Sequence, residues 1–229
     1  MNQFDAIIFD MDGLLLDTER IALSTFLETC EHFGLGAQTD LFMRCIGTNE
    51  SLGEQILKDG LPGKVDHLHF GRVWDNYFLL RDSNGPAPLK EGAVELLNHL
   101  SSLKIPTAVA TSTRTTRARH KLQEAGLLNH FAAVVGGDQV QQSKPEPDIY
   151  LRAAEILNAR PAACLALEDS ENGVRAAARA GMTVIQIPDL VRPSIDLLTL
   201  GHIILSSLRD VAAFPFERTR SNPHALPNL

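Results

Sequence analysis

Short, continuous apolar runs alternate with longer stretches of helical apolar spacing along most of the chain. Runs that are apolar at every position are typical of parallel strands buried on both faces. Six such runs predict strands at Ala6–Phe9, Thr107–Ala110, Ala132–Val135, Cys164–Leu167, Val184–Ile187 and His202–Leu205. The spacing between them predicts helices at Glu91–Leu103, Thr115–Ala125, Pro147–Leu157 and Asn172–Ala180. This alternation indicates an α/β fold, a doubly wound parallel sheet with a Rossmann-like core.

One long segment after the first predicted strand interrupts the alternation. It contains no convincing strand, and its apolar spacing predicts helices at Ile21–Phe33, Leu41–Cys45, Leu52–Leu57 and His67–Leu80. A turn-rich stretch, SNGPAP at 83–88, closes the segment. We therefore predict a helical cap subdomain that is inserted between the first and second strands of the sheet.

The bounds of this insertion divide the chain into three parts. We predict a catalytic core formed by 1–16 and 84–216, a helical cap at 17–83, and a loose tail at 217–229, where periodicity is lost. The chain enters and leaves the cap through two short connections. These connections are expected to act as hinges.

Composition and charge are those of an ordinary soluble globular protein. The 229 residues are 44% hydrophobic and 21% charged, and a chain of this length can bury a substantial core without disulfides. The net charge of -7 argues against a broad basic face for nucleic acid. No apolar run approaches the roughly 20 residues that span a bilayer, so no membrane partner is expected.

The cysteines and the first residues bear on the cellular compartment. Cys30, Cys45 and Cys164 are odd in number and form no CxxC motif, which argues against a disulfide framework or a zinc site. The start of the sequence lacks the basic and apolar regions of a signal peptide. We expect a cytoplasmic protein that is a monomer or a weak homodimer.

Polar side chains collect where the predicted strands end. In an open parallel sheet, ligands bind outside the carboxyl ends of the strands. Four separate segments deliver carboxylates, hydroxyl groups and one lysine to that edge: Asp10 and Asp12, Thr111 to Thr113, Lys144, and Glu168 and Asp169. Their convergence predicts a binding or catalytic site.

The carboxylates of this group raise a question of charge. Asp10, Asp12, Glu168 and Asp169 in one small volume repel one another and raise each other's pKa unless a cation lies among them. Magnesium typically takes one or two carboxylates, several waters and a substrate phosphate, and it would relieve the repulsion. Structural explanations stay open, because strand-end aspartates form turns and the stretch from Glu168 to Ser170 could cap the next helix.

The hydroxyl run and the lysine each have two interpretations. Thr111, Ser112 and Thr113 could supply the N-cap of the next helix, or they could bind a phosphate at its N-terminus. Lys144 precedes Pro145 in an extended stretch. It could be a solvated charge, or it could screen a phosphate and an aspartate together.

Taken in order, these motifs resemble those of the haloacid dehalogenase-like hydrolase superfamily, in the branch with a helical cap after the first strand. The likeness is greatest to the β-phosphoglucomutase-like branch and to sugar-phosphate and nucleotide phosphatases. The matching stretches are FDMDGLLLDTE (9–19), VATST (109–113), SKPEPDIY (143–150) and LEDSENGVRAAARAGM (167–182).

The resemblance implies a role for each motif in phosphoryl transfer. Asp10 would be the nucleophile that forms an aspartyl-phosphate, and Asp12 would be the general acid and then the general base. Thr111 and Ser112 would bind the phosphoryl group. Lys144 would hold both the phosphate and Asp10.

The resemblance also implies a Mg²⁺ cofactor. Asp10, Asp169 and the carbonyl group of Asp12 would bind the ion, and Glu168 would assist at the same place. Gly13 would begin the flexible turn beside the nucleophile.

Cap residues would separate phosphatases from phosphomutases. In the β-phosphoglucomutase-like branch a cap arginine grips the second phosphate, whereas Asn49 stands at that position here and an uncharged amide is a weaker anion partner. Arg44 or Arg72 could substitute for that arginine. We therefore expect a phosphatase for a small phosphorylated metabolite, with Asn49 and Glu19 contributing to substrate specificity. The alternatives are a phosphomutase and a non-catalytic binder of a phosphorylated ligand.

Overall fold

A parallel six-stranded sheet is the centre of the structure. The structure is a computed structural model, and it describes residues 4–48, 50–82 and 85–216. The strands are β1 (Ala6–Phe9), β2 (Thr107–Thr111), β3 (Ala133–Gly136), β4 (Cys164–Glu168), β5 (Thr183–Gln186) and β6 (Ile203–Ile204). Their order across the sheet is β3-β2-β1-β4-β5-β6, and every neighbouring pair is parallel. The order reverses at β1, and the predicted doubly wound sheet is confirmed.

Both faces of the sheet are covered, which explains the continuous apolar runs. In β1, Ile7 and Phe9 belong to one buried apolar cluster, and Ala6 and Ile8 belong to another. All four side chains have no solvent exposure. Because successive residues of a strand point to opposite faces, a strand between two cores is apolar at every position.

The predicted strand bounds need small corrections. Ala132 and Ile187 lie just outside β3 and β5. β2 and β4 each extend by one residue, so that Thr111 and Glu168 are paired within the sheet. At the edge of the sheet, β6 keeps only Ile203–Ile204, because it has a single neighbouring strand.

In the part of the chain that the structure describes, four helices follow β1 before the chain returns to the core, and the predicted helical cap is confirmed. They are α1 (Thr18–His32), α2 (Thr39–Cys45), α3 (Glu50–Gly60) and α4 (His67–Asp82). The cap has an aromatic core of its own, in which the ring of Phe26 lies 5.5 Å from Phe42 and 5.4 Å from Phe70. Asn49 and the predicted tail at 217–229 lie outside the described residues.

The helices of the core pack on both faces of the sheet. They are α5 (Ala93–Ser102), α6 (Thr115–Glu124), α7 (Asp148–Ile156), α8 (Glu171–Arg179), α9 (Ile195–Leu198) and α10 (Leu208–Ala212). Gly126 and Gly181, at φ values of +73° and +78°, follow the ends of α6 and α8, as the sequence predicts. The short α9 and α10 were not predicted. Within the described residues, no helix combines the length and hydrophobicity needed to cross a membrane.

The two connections between cap and core are hydrogen-bonded to each other. The backbone N–H of Asp17 donates to the carbonyl of Pro88 at 2.7 Å, and that of Lys90 donates to Leu15 at 3.0 Å. Two side chains beside these connections contact Asp189, a residue that follows β5 and has a side chain only 3% exposed. Arg20 and Lys90 both donate to Oδ1 of Asp189, at 2.8 and 2.7 Å. We call Asp17, Arg20, Lys90 and Asp189 the hinge cluster.

Candidate active site

The carboxyl ends of β1, β2 and β4 face a cavity of about 480 Å³ beneath the cap. Because β2 and β4 are the neighbours of β1, the residues that follow these strands are adjacent in space. The sheet side of the cavity is polar, and the cap side is largely apolar. Four of the cap residues that line it are Phe42, Ile46, Trp74 and Phe78.

Lys144 joins Asp10 to Glu168. Its Nζ atom donates at 2.5 Å to Oδ1 of Asp10 and at 2.5 Å to Oε1 of Glu168, and its side chain is only 2% exposed. Burial alone would lower the pKa of Lys144, but the two carboxylates outweigh burial and raise that pKa above its ordinary value. Lys144 is therefore a permanent cation in the site, and the interpretation as a solvated surface charge is wrong.

Glu168 is held by five hydrogen bonds. Besides Lys144, the hydroxyl of Tyr150 donates to Oε1 at 2.7 Å. Oε2 accepts from the backbone N–H groups of Asp169 and Ser170 at 3.0 and 3.1 Å and from the hydroxyl of Ser170 at 3.1 Å. A Cβ on Gly173 would lie 1.8 Å from Oε1, so only glycine leaves room for this carboxylate.

Three carboxylates in the site are placed to share one cation. Asp10, Glu168 and Asp169 are buried, and each offers an oxygen within 4.8 Å of the others. Burial, followed by the charge of Glu168, raises the pKa of Asp169 well above its ordinary value. Burial likewise raises the pKa of Asp10, although Lys144 opposes that shift. One lysine cannot neutralise three carboxylates, and an all-oxygen donor set fits a hard divalent cation such as Mg²⁺.

Asp12 lies apart from that cluster and has its own partners. Its Oδ1 accepts from the Thr18 hydroxyl at 2.8 Å and from Nζ of Lys121 at 2.9 Å. Its Oδ2 accepts from the hydroxyls of Thr113 and Thr111 at 2.7 and 3.4 Å. Burial alone would raise the pKa of Asp12, but Lys121 and the hydroxyl donors outweigh burial and lower it to about 2.

The hydroxyl run after β2 does not cap the following helix. Asp138 accepts from the backbone N–H and the hydroxyl of Thr115, both at 2.7 Å, in the first turn of α6. Thr111 is 1% exposed, and Ser112 lines the cavity. The alternative of a helix cap is therefore wrong for this run, whereas Ser170 does cap α8 by accepting from the N–H of Gly173.

Glu19 is the predicted cap residue that the described residues include. It lies in the first turn of α1 and lines the cavity. Burial, followed by the negative charge of Asp12, raises the pKa of Glu19 to about 8. At that pKa the carboxyl group is protonated at neutral pH in the metal-free protein and can donate a hydrogen bond into the cavity.

The structure adds three residues that the sequence reasoning missed: Lys121, Thr113 as a partner of Asp12, and Tyr150. Lys121 and Tyr150 lie on the inward faces of α6 and α7. A signal for Lys121 does exist, because a lysine between the buried positions Ala118 and Leu122 breaks the polar-out pattern of a surface helix.

Fold and site together define a doubly wound α/β protein with a capped carboxylate site at the reversal point of the sheet. The model of the haloacid dehalogenase-like hydrolase family matches residues 4–181, so the chain belongs to that family. This confirms the resemblance that the motifs indicated.

Individual relatives agree with this membership. The chain is 35% identical over 184 residues to the phosphorylated carbohydrates phosphatase of Thermotoga maritima, covering 78% of this chain and 82% of that one. It is 32% identical over 216 residues to a probable pseudouridine-5'-phosphatase of Drosophila melanogaster, covering 89% of each. The crystal structure of CbbY from Rhodobacter sphaeroides in complex with phosphate is 27% identical, with a TM-score of 0.71, covering 91% of this chain and 96% of that one. The expectation of a phosphatase enzyme is confirmed at this level.

Proposed function

We propose that the protein is a Mg²⁺-dependent phosphatase that hydrolyses a small phosphomonoester through an aspartyl-phosphate. The observation that carries the proposal is the position of Asp10, which faces the cavity at the end of β1 with Lys144 at 2.5 Å and two further carboxylates close by. The named relatives support a sugar phosphate or a nucleotide-like phosphate as substrate.

In the first step, a carboxylate oxygen of Asp10 attacks phosphorus and the bond from phosphorus to the ester oxygen breaks. Asp12 gives its proton to that oxygen, so that the leaving group departs as an alcohol. In the second step, a water oxygen attacks phosphorus, Asp12 takes its proton, and the bond to Asp10 breaks. Inorganic phosphate is released and both carboxylates are restored.

The protonation of Asp12 in the first step depends on the substrate. Without substrate, Lys121 and the hydroxyl donors keep the pKa of Asp12 at about 2. A phosphate dianion in the cavity adds negative charge beside Asp12, which favours its protonated form. The proton is therefore taken up with the substrate.

The other predicted residues bind the phosphoryl group and the metal. We assign Thr111, Ser112 and Lys144 to the phosphoryl oxygens. Asp10, Asp169 and the carbonyl of Asp12 would hold Mg²⁺, with Glu168 orienting Lys144 and assisting at the ion. When bound, the ion supplies positive charge for the phosphoryl oxygens and relieves the repulsion among the carboxylates.

The cap, residues 17–83, would close over the substrate and exclude water during transfer. Glu19 would donate a hydrogen bond to the leaving group, and Asn49 is assigned to the same surface from the sequence alone. Among the cap residues that the structure describes, none that lines the 480 Å³ cavity is basic. This favours a phosphatase over a phosphomutase, since a mutase must grip a second phosphate.

A phosphomutase is the second candidate, because Arg114 and Arg117 line the core side of the same cavity. These two arginines could hold a second phosphate. A mutase would move the phosphoryl group between two positions of one sugar without net release of phosphate. Chromatography of the sugar phosphates in the panel below would detect that isomerisation beside the measurement of phosphate release.

The test is release of inorganic phosphate from a panel of sugar phosphates and nucleoside monophosphates, in Mg²⁺ and in EDTA. Asp10→Asn is the blank, and its thermal unfolding shows whether it is folded. We expect Mg²⁺-dependent release that Asp10→Asn lacks. Equal release by wild type and Asp10→Asn, or isomerisation without release, would contradict the proposal.

A further inference from the structure

The cavity contains a second buried lysine, to which the two steps above assign no role in proton transfer. Lys121 lies on α6, its side chain is 6% exposed, and it lines the cavity. Its Nζ atom is 2.9 Å from Oδ1 of Asp12, and Asp12 is its acidic partner among the described residues. Lys144 serves Asp10 and Glu168 in the same way, so each cation belongs to a different part of the site.

A role in stability alone gives a poor account of Lys121. Removing a lysine and a carboxylate from water costs free energy, and a buried ion pair is often no better than apolar residues of similar size. An apolar residue at position 121 would extend the buried face that Ala118 and Leu122 already form on α6. The lysine instead places a cation at the wall of the cavity.

The contacts of Asp12 show what this cation does. Lys121 and the hydroxyl of Thr18 donate to Oδ1 at 2.9 and 2.8 Å, while the hydroxyl of Thr113 donates to Oδ2 at 2.7 Å. With a donor on each oxygen, the plane of the carboxyl group is fixed. The ring of Phe78, on α4 of the cap, lies 5.3 Å from Nζ of Lys121 and shields the ammonium group from water.

We propose that Lys121 is a positioning residue for proton transfer by Asp12. The proposal rests on the phosphatase chemistry proposed above. As the bond from phosphorus to Asp10 forms and the ester bond breaks, the proton of Asp12 passes to the ester oxygen and the alcohol departs. The Asp12 carboxylate that remains is paired with Lys121, in the orientation from which it next takes a proton from water.

This role makes the rate depend on the leaving group. A sugar alkoxide is a poor leaving group and needs a proton in the transition state, whereas p-nitrophenolate is a stable anion and leaves without one. The ratio kcat/KM reports the steps up to departure of the leaving group and excludes hydrolysis of the aspartyl-phosphate. Loss of positioned acid catalysis therefore lowers kcat/KM for alkyl phosphates and spares p-nitrophenyl phosphate.

The experiment compares Lys121→Met, Lys121→Arg and the matched control Arg119→Met, an exposed position on the same helix. The substrates are p-nitrophenyl phosphate and the alkyl phosphate of the panel that wild type hydrolyses best. We expect Lys121→Met to lose about 100-fold in kcat/KM on the alkyl phosphate and less than about 3-fold on the aryl phosphate. Lys121→Arg should recover most of the alkyl activity, and Arg119→Met should match wild type on both.

Thr113→Val provides a second route, should Lys121→Met fold poorly by circular dichroism. It removes the shorter of the two hydrogen bonds to Oδ2 of Asp12 and should show the same selective loss on the alkyl phosphate. Equal losses on both substrates, or no loss on either, would overturn the assignment of Lys121 while leaving the phosphatase proposal intact. Absence of any phosphate release by wild type would instead overturn the phosphatase proposal and this one with it.

Discussion

At the scale of single residues, two glycines leave room for the carboxylate cluster. Gly13 has a φ value of +82°, and a Cβ there would lie 2.3 Å from Oδ2 of Asp169. A Cβ on Gly173 would lie 1.8 Å from Oε1 of Glu168. The turn after β1 and the first turn of α8 can approach these carboxylates only because both positions are glycine.

We expect Gly13→Ala to raise the Mg²⁺ concentration needed for activity, because the added Cβ must displace Asp169. The positive φ also costs about 1–3 kcal/mol of stability. The matched control is Gly34→Ala, at φ +65° with no atom within 4 Å of the added Cβ, which isolates the strain. Urea unfolding and Mg²⁺ titrations of phosphate release measure both effects. An equal Mg²⁺ requirement in the two variants would show that the turn does not position Asp169.

Glu19 gives a pH dependence whose sign follows from its raised pKa. In the unfolded chain Glu19 ionises near its ordinary pKa of 4.5, whereas in the folded protein its pKa is about 8. Between these values the unfolded state binds fewer protons, so this residue lowers stability as pH rises, with no further change above about pH 8.

In EDTA, we expect Glu19→Gln to remove the decrease in the free energy of unfolding that Glu19 causes as pH rises. Relative to wild type, the variant should gain on the order of 2 kcal/mol between pH 4 and pH 9, a figure reduced for the partial exposure of the side chain. Urea unfolding at several pH values measures the difference. Glu54→Gln, at an exposed position on α3, is the control and should show no such gain. If the free energy of unfolding of Glu19→Gln fell with pH as steeply as that of wild type, another group would be the cause.

At the scale of elements, the hinge cluster fixes the cap to the core. Asp189 receives Arg20 from α1 and Lys90 from the returning connection, while the two connections hydrogen-bond to each other. The carboxylate of Asp189, in the loop after β5, therefore restrains both connections between cap and core. This arrangement ties the cap to the same sheet that carries Asp10.

We expect Asp189→Asn to lower the free energy of unfolding by about 2 kcal/mol, because it removes a buried carboxylate and leaves Arg20 and Lys90 with Asp17 as their acidic partner in the hinge cluster. The control is Asp196→Asn. Asp196 pairs with Arg175 but has a side chain 80% exposed, so its loss should cost under about 1 kcal/mol. Urea unfolding of the two variants gives the comparison. Equal losses would mean that Asp189 contributes no more than a surface ion pair.

Much of this architecture could be predicted from the sequence. The strands were predictable because β1, β2 and β4 are buried on both faces, so their interior positions are apolar and polar residues stand only at strand ends. Asp10, Lys144 and Asp169 could be placed together because residues after adjacent parallel strands share one edge. This logic depends only on strand order and polarity.

The remaining contacts could not be predicted, because they depend on how each helix is rotated about its axis against the sheet. Lys121 is ten positions after Thr111, and only the rotation of α6 brings it to Asp12. Tyr150 reaches Glu168 in the same way from α7. The acceptor for the first N–H of α6 was equally hidden, since Asp138 lies after β3 and far from α6 in the sequence. The spacing of apolar residues indicates which side of a helix is buried, but it does not indicate which residues that side contacts.

At the scale of the whole molecule, the net charge gives no attraction for an anion. The chain carries a net charge of -7, and, among the described residues, the cavity lining mixes four basic residues with five acidic ones: Arg114, Arg117, Lys121 and Lys144, and Asp10, Asp12, Glu19, Asp75 and Asp169. We therefore expect an anionic substrate to be held by individual cations of the site and not drawn by the overall field. We expect the apolar cap wall to exclude water during the proposed phosphoryl transfer.

The most direct measurement is the detection of phosphorus on Asp10 during turnover. Wild type, Asp10→Asn and Asp12→Asn are mixed with ³²P-labelled substrate in Mg²⁺, quenched in acid within one turnover, digested and mapped. We expect label on the peptide that contains Asp10 in wild type and none there in Asp10→Asn. In Asp12→Asn, label formed from an activated aryl phosphate should persist, because the base for its hydrolysis is missing. Phosphate release without label on Asp10, or label on another residue, would contradict the mechanism.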